Sequence, residues 1–341
     1  MRGGYDPPGG GDSLEVETGG EAEMIPHIFS FPPPIPEALA VLLLAVGIDL
    51  ILGEPPARVH PVVLMGRMIG GLRRRSRPTR GWGVAIALVV ILSSAAAGHL
   101  LMGAADHIRL FGLSLGTLVS AYLLKSTIAI DCLLDTSREI GRLLEEDFDE
   151  AKKLLPALVS RNPQDLTRAQ ATSAVIESLS ENYVDAIVSP LFYYLLFSPL
   201  GLGVEAALAF KATNTLDSML GYRTEELKDL GWASARLDDI ANWGPARLSL
   251  PIIALASPSR AGEAVRVALR DHGATPSPNS GWPMAAAAGA LGARLEKPGV
   301  YVVGEGGRDP STEDIKPALG LLGTAIGLTV AGAAVLLMLL L

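Results

Sequence analysis

Glu177-Ser178-Leu179-Ser180-Glu181-Asn182-Tyr183-Val184-Asp185 is the stretch on which the reading of this chain turns. Glu177, Glu181 and Asp185 recur every four residues, which stacks them in one stripe along an α-helix. Ile176, Leu179 and Tyr183 fall roughly on the opposite side. The spacing predicts a helix with one face in a packed interior and three carboxylates offered to something polar. From Ala186 to Phe210 the sequence then turns apolar. A polar, acidic helix leading into a long apolar segment points to a site built at a membrane surface.

Composition extends that reading outward. Of 341 residues, 49% are hydrophobic, 19% charged and only 5% aromatic. Ala, Leu, Val, Ile and Gly therefore carry the hydrophobicity, which suits helices packing closely in lipid. The net charge of −8 is uneven, because residues 1–34 set Arg2 against six acidic side chains. No basic field of the kind that binds nucleic acid is present. The single cysteine, Cys132, excludes an intrachain disulfide and a Cys-based zinc site. Its apolar surroundings make it a buried structural thiol.

Residues 1–34, rich in Gly, Pro and acid, read as a disordered tail, and residues 35–341 as a single membrane-embedded catalytic domain. Apolar runs at 35–53, 82–102, 112–134 and 319–341 are long enough to cross a hydrocarbon core of about 30 Å. Arg67, Arg73, Arg74, Arg75, Arg77 and Arg80 between the first two place that loop in the cytoplasm by the positive-inside rule. Residues 135–160 read as cytoplasmic helix, and Asn162-Pro163 as the start of the helix that bears the acidic stripe. Ser198-Pro199-Leu200-Gly201 interrupts the run 186–210, so two half-length helices are expected to dip in and return. Residues 246–257 have re-entrant or interfacial length, and 258–318 read as polar, Gly- and Pro-rich and cytoplasmic. The expected fold is an all-α polytopic integral membrane protein of four to five full spans plus broken or re-entrant helices. Its site segments, about 54–80, 135–185, 211–245 and 258–318, face the cytoplasm from a multi-pass cell-membrane protein.

Four polar constellations fall on that side. The first is Glu177, Glu181, Asn182 and Asp185, a carboxylate set suited to Mg²⁺, which takes one or two such ligands plus phosphate oxygens and water. The competing reading is the solvated face of an amphipathic helix. The second runs from Lys211 to Arg223. Asn214 and Asp217 share a helix face there, and the two cations suit phosphate. Cations at lipid headgroups are the alternative. The third runs from Gly231 to Trp243. One of Asp238 and Asp239 suits metal while the other pairs with Arg236, and Trp232 and Trp243 offer either a flat apolar wall or interfacial anchors. The fourth, Pro276-Ser277-Pro278-Asn279-Ser280-Gly281-Trp282-Pro283, is too Pro- and Gly-rich for a helix and has the character of a site-lining loop. His60-Pro61 and Arg67 lie just inside the first span. No phosphate-loop, dinucleotide or His-Glu-x-x-His motif occurs.

Taken together these strings resemble the adenosylcobinamide-phosphate synthase family of cobalamin biosynthesis. The carrying pieces are Asp49-Leu50, Gly53-Glu54-Pro55, His60-Pro61, Gly66-Arg67, the acidic stretch itself and Pro190-Leu191-Phe192. Denser matches follow in Asn214-Thr215-Leu216-Asp217-Ser218-Met219, Gly221-Tyr222-Arg223, Gly231 through Asp239, Asn242-Trp243, Ser277-Pro278-Asn279 and Gly281-Trp282-Pro283. The resemblance covers about residues 35–340. Tyr183 and Ala186 depart mildly from its pattern.

The resemblance implies an ATP-dependent acid–amine ligase joining the free propionate of adenosylcobyric acid to aminopropanol phosphate or a related amine. It implies ATP and Mg²⁺ as cofactors, the corrinoid being substrate. Glu177, Glu181, Asp185 and Asp238 would hold the metal, and Glu181, Asp217 and Asp239 would be the catalytic carboxylates. His60, Arg67, Lys211, Asn214, Arg223, Arg236, Asn242 and Asn279 would bind substrate and phosphate, with Trp232, Trp243 and Trp282 seating the corrin ring. The bilayer, the two substrates and other membrane-associated enzymes of the pathway would be its partners. A transporter is the first rival, with Asp49, Lys125 and Asp131 as its in-span charges. A CDP-alcohol-type phosphotransferase is the second, though its regular Asp spacing is missing.

Overall fold

The computed structural model describes residues 35–110, 113–159 and 162–340. The segment 1–34, expected as a tail, lies outside them. In chain order come α1 (Ile35–Leu52), α2 (Pro61–Arg75), α3 (Arg80–Ala105), a hairpin of β1 (Arg109–Leu110) and β2 (Leu113–Ser114), α4 (Leu115–Lys125), α5 (Ile130–Glu146) and α6 (Phe148–Leu154). Then come α7 (Arg168–Tyr183), α8 (Ser189–Phe197), α9 (Gly203–Leu220), α10 (Trp232–Ala241), α11 (Trp243–Ala256), α12 (Ala261–Asp271) and α13 (Gly281–Leu291). A hairpin of β3 (Leu295–Lys297) and β4 (Tyr301–Val303) precedes α14 (Ile315–Leu339). The fold is nearly all-α.

Among the described residues four helical runs are long and apolar enough to cross a membrane: Arg80–Ala105, Leu115–Glu146, Arg168–Leu200 and Thr312–Leu339. Lipid tails are as apolar as leucine, so outward-facing side chains such as Leu88, Leu92 and Leu100 of α3 stay exposed without penalty. The interior is organised around α7. Every residue from Ala171 to Ser180 is buried, as is Tyr183, whose hydroxyl shares a 2.8 Å hydrogen bond with Thr329 of α14.

Several expectations change at this level. The acidic helix starts at Arg168, because Thr167 and Gln170 form a reciprocal capping box. Asn162 instead accepts the Gln164 N–H in a preceding turn. The stripe is not at the end of a separate helix. α7 continues through a π-helical turn, Val184–Val188, into α8. The chain does break at Ser198–Gly201, and α8 packs against α9 across a turn with Gly201 at φ +71°, a conformation only glycine adopts freely. But α8 is the end of the continuous run Arg168–Leu200 and α9 extends to Leu220, in place of two half-length helices within 186–210. The apolar run 112–134 breaks between α4 and α5. The polar segment 258–318 contains α13, buried from Met284 to Ala290, whose small side chains let it lie close against α12. Cys132 is exposed on α5, not buried.

The break between α4 and α5 has a physical cause. Lys125, the last residue of α4, is fully buried and pairs with Asp49 of α1 at 3.2 Å and Glu54 at 2.8 Å. Asp49 also accepts the N–H groups of Ile130 and Asp131, both at 3.0 Å, at the start of α5. Glu54 bonds His60 Nε2 at 2.9 Å, while His60 Nδ1 caps α2 by accepting the Val62 N–H. One charged clamp thus ties α1, α2, α4 and α5 together. Removing one member of such a buried pair typically costs about 3–5 kcal/mol.

Candidate functional site

A cavity of about 230 Å³ opens where four separated segments meet. The α7 run contributes Glu181, Val184 and Asp185; the end of α9 and its loop contribute Asp217, Gly221 and Arg223. Helix α10 and its junction with α11 contribute Asp238, Asp239 and Asn242, and the loop before α13 contributes Pro276, Ser277, Asn279 and Ser280. Five carboxylates therefore face one small space.

Two amides fix the central one. Asn214 Nδ2 donates to one oxygen of Asp238 at 3.3 Å and Asn242 Nδ2 to the other at 3.0 Å. Asn242 is itself held by the Ser189 hydroxyl, 2.6 Å from its Oδ1. Asn279 donates to the Asp239 backbone carbonyl at 2.7 Å, tying the fourth segment to the third. Gly221 is required because a Cβ there would lie 1.9 Å from Asp217 Oδ1. The carboxyl folds over that glycine, so any side chain would push it from the cavity.

The electrostatics are those of crowded, part-desolvated acids. Burial, then the neighbouring Asp238 and Asp239 charges, push Asp217 up from 3.8 to about 7. Burial, then Asp185, push Asp238 up to about 7 against the two amides. Burial raises Asp239, and Arg236 and Arg223 oppose it. Arg236 stands 3.7 Å from Asp239 on the exposed side of α10.

Other candidate residues lie elsewhere. Glu177 is buried off the cavity and accepts from the hydroxyls of Ser173 at 2.7 Å and Tyr301 at 2.6 Å. Lys211 lies behind the wall, within electrostatic reach of Asp185, Glu54 and Asp238. His60 belongs to the helix clamp, and Arg67 is exposed on α2, which packs on α9. The tryptophans do not form one wall. Arg80 covers Trp232 at 5.3 Å, Arg247 covers Trp243 at 4.2 Å, and Trp282 stacks on His272 with ring centres 4.0 Å apart.

Over residues 42–322 the chain matches the family model described as CobD/Cbib protein. The chain belongs to that family. It is 55% identical to a "Probable cobalamin biosynthesis protein CobD" of Methanothrix thermoacetophila, over 93% of this chain and all of the relative. A protein with the same description from Methanothermobacter thermautotrophicus is 40% identical over 88% of this chain and 98% of the relative. The "Cobalamin biosynthesis protein CobD" of Dehalococcoides mccartyi is 37% identical over 85% and 94%. No solved structure matches the chain.

The CobD-family chain is thus a cobalamin biosynthesis protein with membrane-spanning helices. Among its described residues no three His, Cys, Asp or Glu side chains converge into a ready-made metal cluster. The donors at the cavity are all oxygen, and Mg²⁺ commonly draws the rest of its shell from phosphate and water. A crowd of ionisable carboxylates that raise one another's pKa fits a divalent cation delivered with a phosphate ligand. Two cations outside the candidate set, Lys297 and Arg247, lie near the cavity without lining it. Lys297, on β3, places its charge near Glu181. In sequence it counted only as one of the basic residues that place 258–318 in the cytoplasm.

Proposed function

We propose that this protein catalyses ATP-dependent amide formation between the free propionate of adenosylcobyric acid and (R)-1-amino-2-propanol phosphate, or a related amino alcohol phosphate. The reaction takes place at the cytoplasmic face of the cell membrane. The observation that carries the reading is the convergence of four motif segments on one acidic cavity in a chain of this family.

The chemistry follows from the groups present. A free carboxylate is a poor acyl donor, so an oxygen of the propionate first attacks the γ-phosphorus of ATP, giving an acyl phosphate and ADP. The amine then attacks the acyl carbon, the phosphate leaves with the C–O bond pair, and the amine proton passes to a carboxylate. Glu181, Asp185 and Asp238 would hold Mg²⁺, which offsets phosphate charge during transfer. Asp217 or Asp239, both lining the cavity, would take the amine proton. A carboxyl titrating near 7 suits that task, because a base works best when its pKa lies near the operating pH. Arg223 at the cavity wall and Arg236 beside it are phosphate partners.

The test is turnover by purified protein in nanodiscs with adenosylcobyric acid, ATP, Mg²⁺ and the amine, followed by mass spectrometry. The expected result is a corrinoid gain of one amine minus one water, with one ADP per product. ADP release without that product would point to another acceptor. No nucleotide turnover with the corrinoid bound would set the ligase reading aside.

A further inference from the structure

Arg247 lies one residue from Ala246 of the cavity wall and differs from most cations around it. Its Nη1 donates to the Trp243 carbonyl at 2.8 Å and to Asn279 Oδ1 at 3.4 Å. Its guanidinium carbon sits 4.2 Å from the Trp243 ring centre and 5.2 Å from that of Trp282. Trp282 in turn stacks flat on His272, at 9° between the rings. The guanidinium is thus half-buried and held between two indoles, with neutral acceptors alone among the described residues. Its Nε and Nη2 make no hydrogen bond to any of them.

A second Gly-rich pocket shows the contrast. There Arg308 is bidentate to Asp314 at 2.6 and 2.5 Å, Arg270 to Asp271 at 2.6 and 2.8 Å, and Arg266 meets Glu263 at 3.0 Å. Those three arginines are neutralised within the fold, and the fourth there, Arg260, spends its Nε–Nη2 edge on the Gly289 carbonyl. Arg247 keeps its charge and its planar Nε–Nη2 edge, the geometry that grips a carboxylate or phosphate with two parallel hydrogen bonds. Stacking has already fixed its orientation, so little side-chain freedom is lost when an anion docks. Asn279 bonds both Arg247 and the backbone of Asp239, which sets the cation in register with the acidic cluster.

We propose that Arg247 is an oxyanion-binding residue at the edge of the cavity, taking a phosphate or carboxylate group of the substrates through its Nε–Nη2 edge. The proposal rests on the cavity being the substrate site and adds a specificity residue to it. Arg247 would add to Arg223 and Arg236 in offsetting the repulsion between five carboxylates and anionic substrates.

Binding, rather than turnover, tests it. Aminopropanol phosphate, adenosylcobyric acid and inorganic phosphate are titrated separately into wild-type, Arg247→Lys and Arg247→Ala protein in nanodiscs, with the melting temperature of each variant recorded. A loss of about tenfold or more for Arg247→Ala is expected for one organic probe, with Arg247→Lys intermediate because a lysine keeps charge but not the paired edge. A loss confined to aminopropanol phosphate assigns the phosphate. A loss confined to the corrinoid assigns its carboxylate. If wild-type protein binds neither substrate yet inorganic phosphate protects it in an Arg247-dependent way, the substrate assignment falls and the oxyanion site stands. Equal binding of every probe by all three proteins, or no binding of any probe by wild type, overturns the proposal. Should Arg247→Ala fail to fold, the Lys variant and Arg247→Gln decide by the same readout.

Discussion

Two groups of buried charge in this molecule use the same side chains to opposite ends. In the clamp of Asp49, Glu54, Lys125 and His60, each carboxylate has a cation or an N–H pair within 3.2 Å, and four helices are held by it. In the cavity, Glu181, Asp185, Asp217, Asp238 and Asp239 face one another, and among the described residues only Asp239 has an arginine within 4 Å. The first arrangement pairs opposite charges, so that removing one partner strands the other. The second leaves repulsion that a bound cation or substrate relieves. Burial of charge alone therefore does not mark a site; uncompensated charge of one sign around an open space does.

The largest effect that sharpens this contrast is on turnover. Asp217→Asn and Asp239→Asn, assayed side by side, should separate the base from its neighbour. The one that accepts the amine proton should lose about 10²–10⁴-fold in kcat, the general acid–base range, with its fold intact. Equal, mild losses in both would remove the base assignment. Next comes the clamp. Lys125→Met leaves Asp49 and Glu54 without their cation and should cost about 3–5 kcal/mol, seen as a lowered Tm or denaturation midpoint. Adding Asp49→Asn should recover part of that loss, because it removes the charge left stranded.

The pH dependence of the ligand-free protein is smaller and has a defined sign. Asp217 binds its proton more tightly folded, at about 7, than unfolded, at 3.8. Between those values the folded state carries more protons, so this group's contribution to stability falls as pH rises from about 4 to 7. Mg²⁺ would need its ligand Asp238 ionised, and burial pushes that carboxyl up to about 7 as well. Thermal stabilisation by Mg²⁺ should therefore be larger at pH 8 than at pH 6, and a shift independent of pH would contradict the cavity as its site. Smallest is Glu177→Gln. That residue sits off the cavity between Ser173 and Tyr301, so stability should drop by about 1–3 kcal/mol while kcat stays near wild type.

Much of the architecture was legible because helical period and span length are local properties. The acidic repeat and the interrupted run before Gly201 could be read within a few turns of chain, and so could the loop 276–280. But Gly281-Trp282-Pro283, read as part of that loop, form the first turn of α13, where proline is tolerated because no helical N–H bond is needed. Which face of α7 meets the cavity was not local. Glu177 shares the stripe, yet the β3–β4 hairpin supplies Tyr301 from 124 positions away and takes that carboxylate. The same limit hid the clamp, since Lys125 finds Asp49 only after α4 packs on α1. The burial of α13 was masked by its polar surroundings in sequence. The tryptophans looked like a wall because spacing says nothing of which arginine will cover each ring. Arg247 was passed over as one cation in a short apolar helix.

The contrast between the two charge groups is tested most directly by the Tm of Asp217→Asn in nanodiscs at pH 8, without ligand. Neutralising a carboxylate that burial and like charge disfavour should raise stability by on the order of 2 kcal/mol, while ligation falls. A Tm above wild type together with lost turnover is the result expected. A Tm below wild type would mean that Asp217 holds the fold together as Lys125 does, and the reading of the cavity as an unrelieved, ligand-seeking acidic site would be wrong.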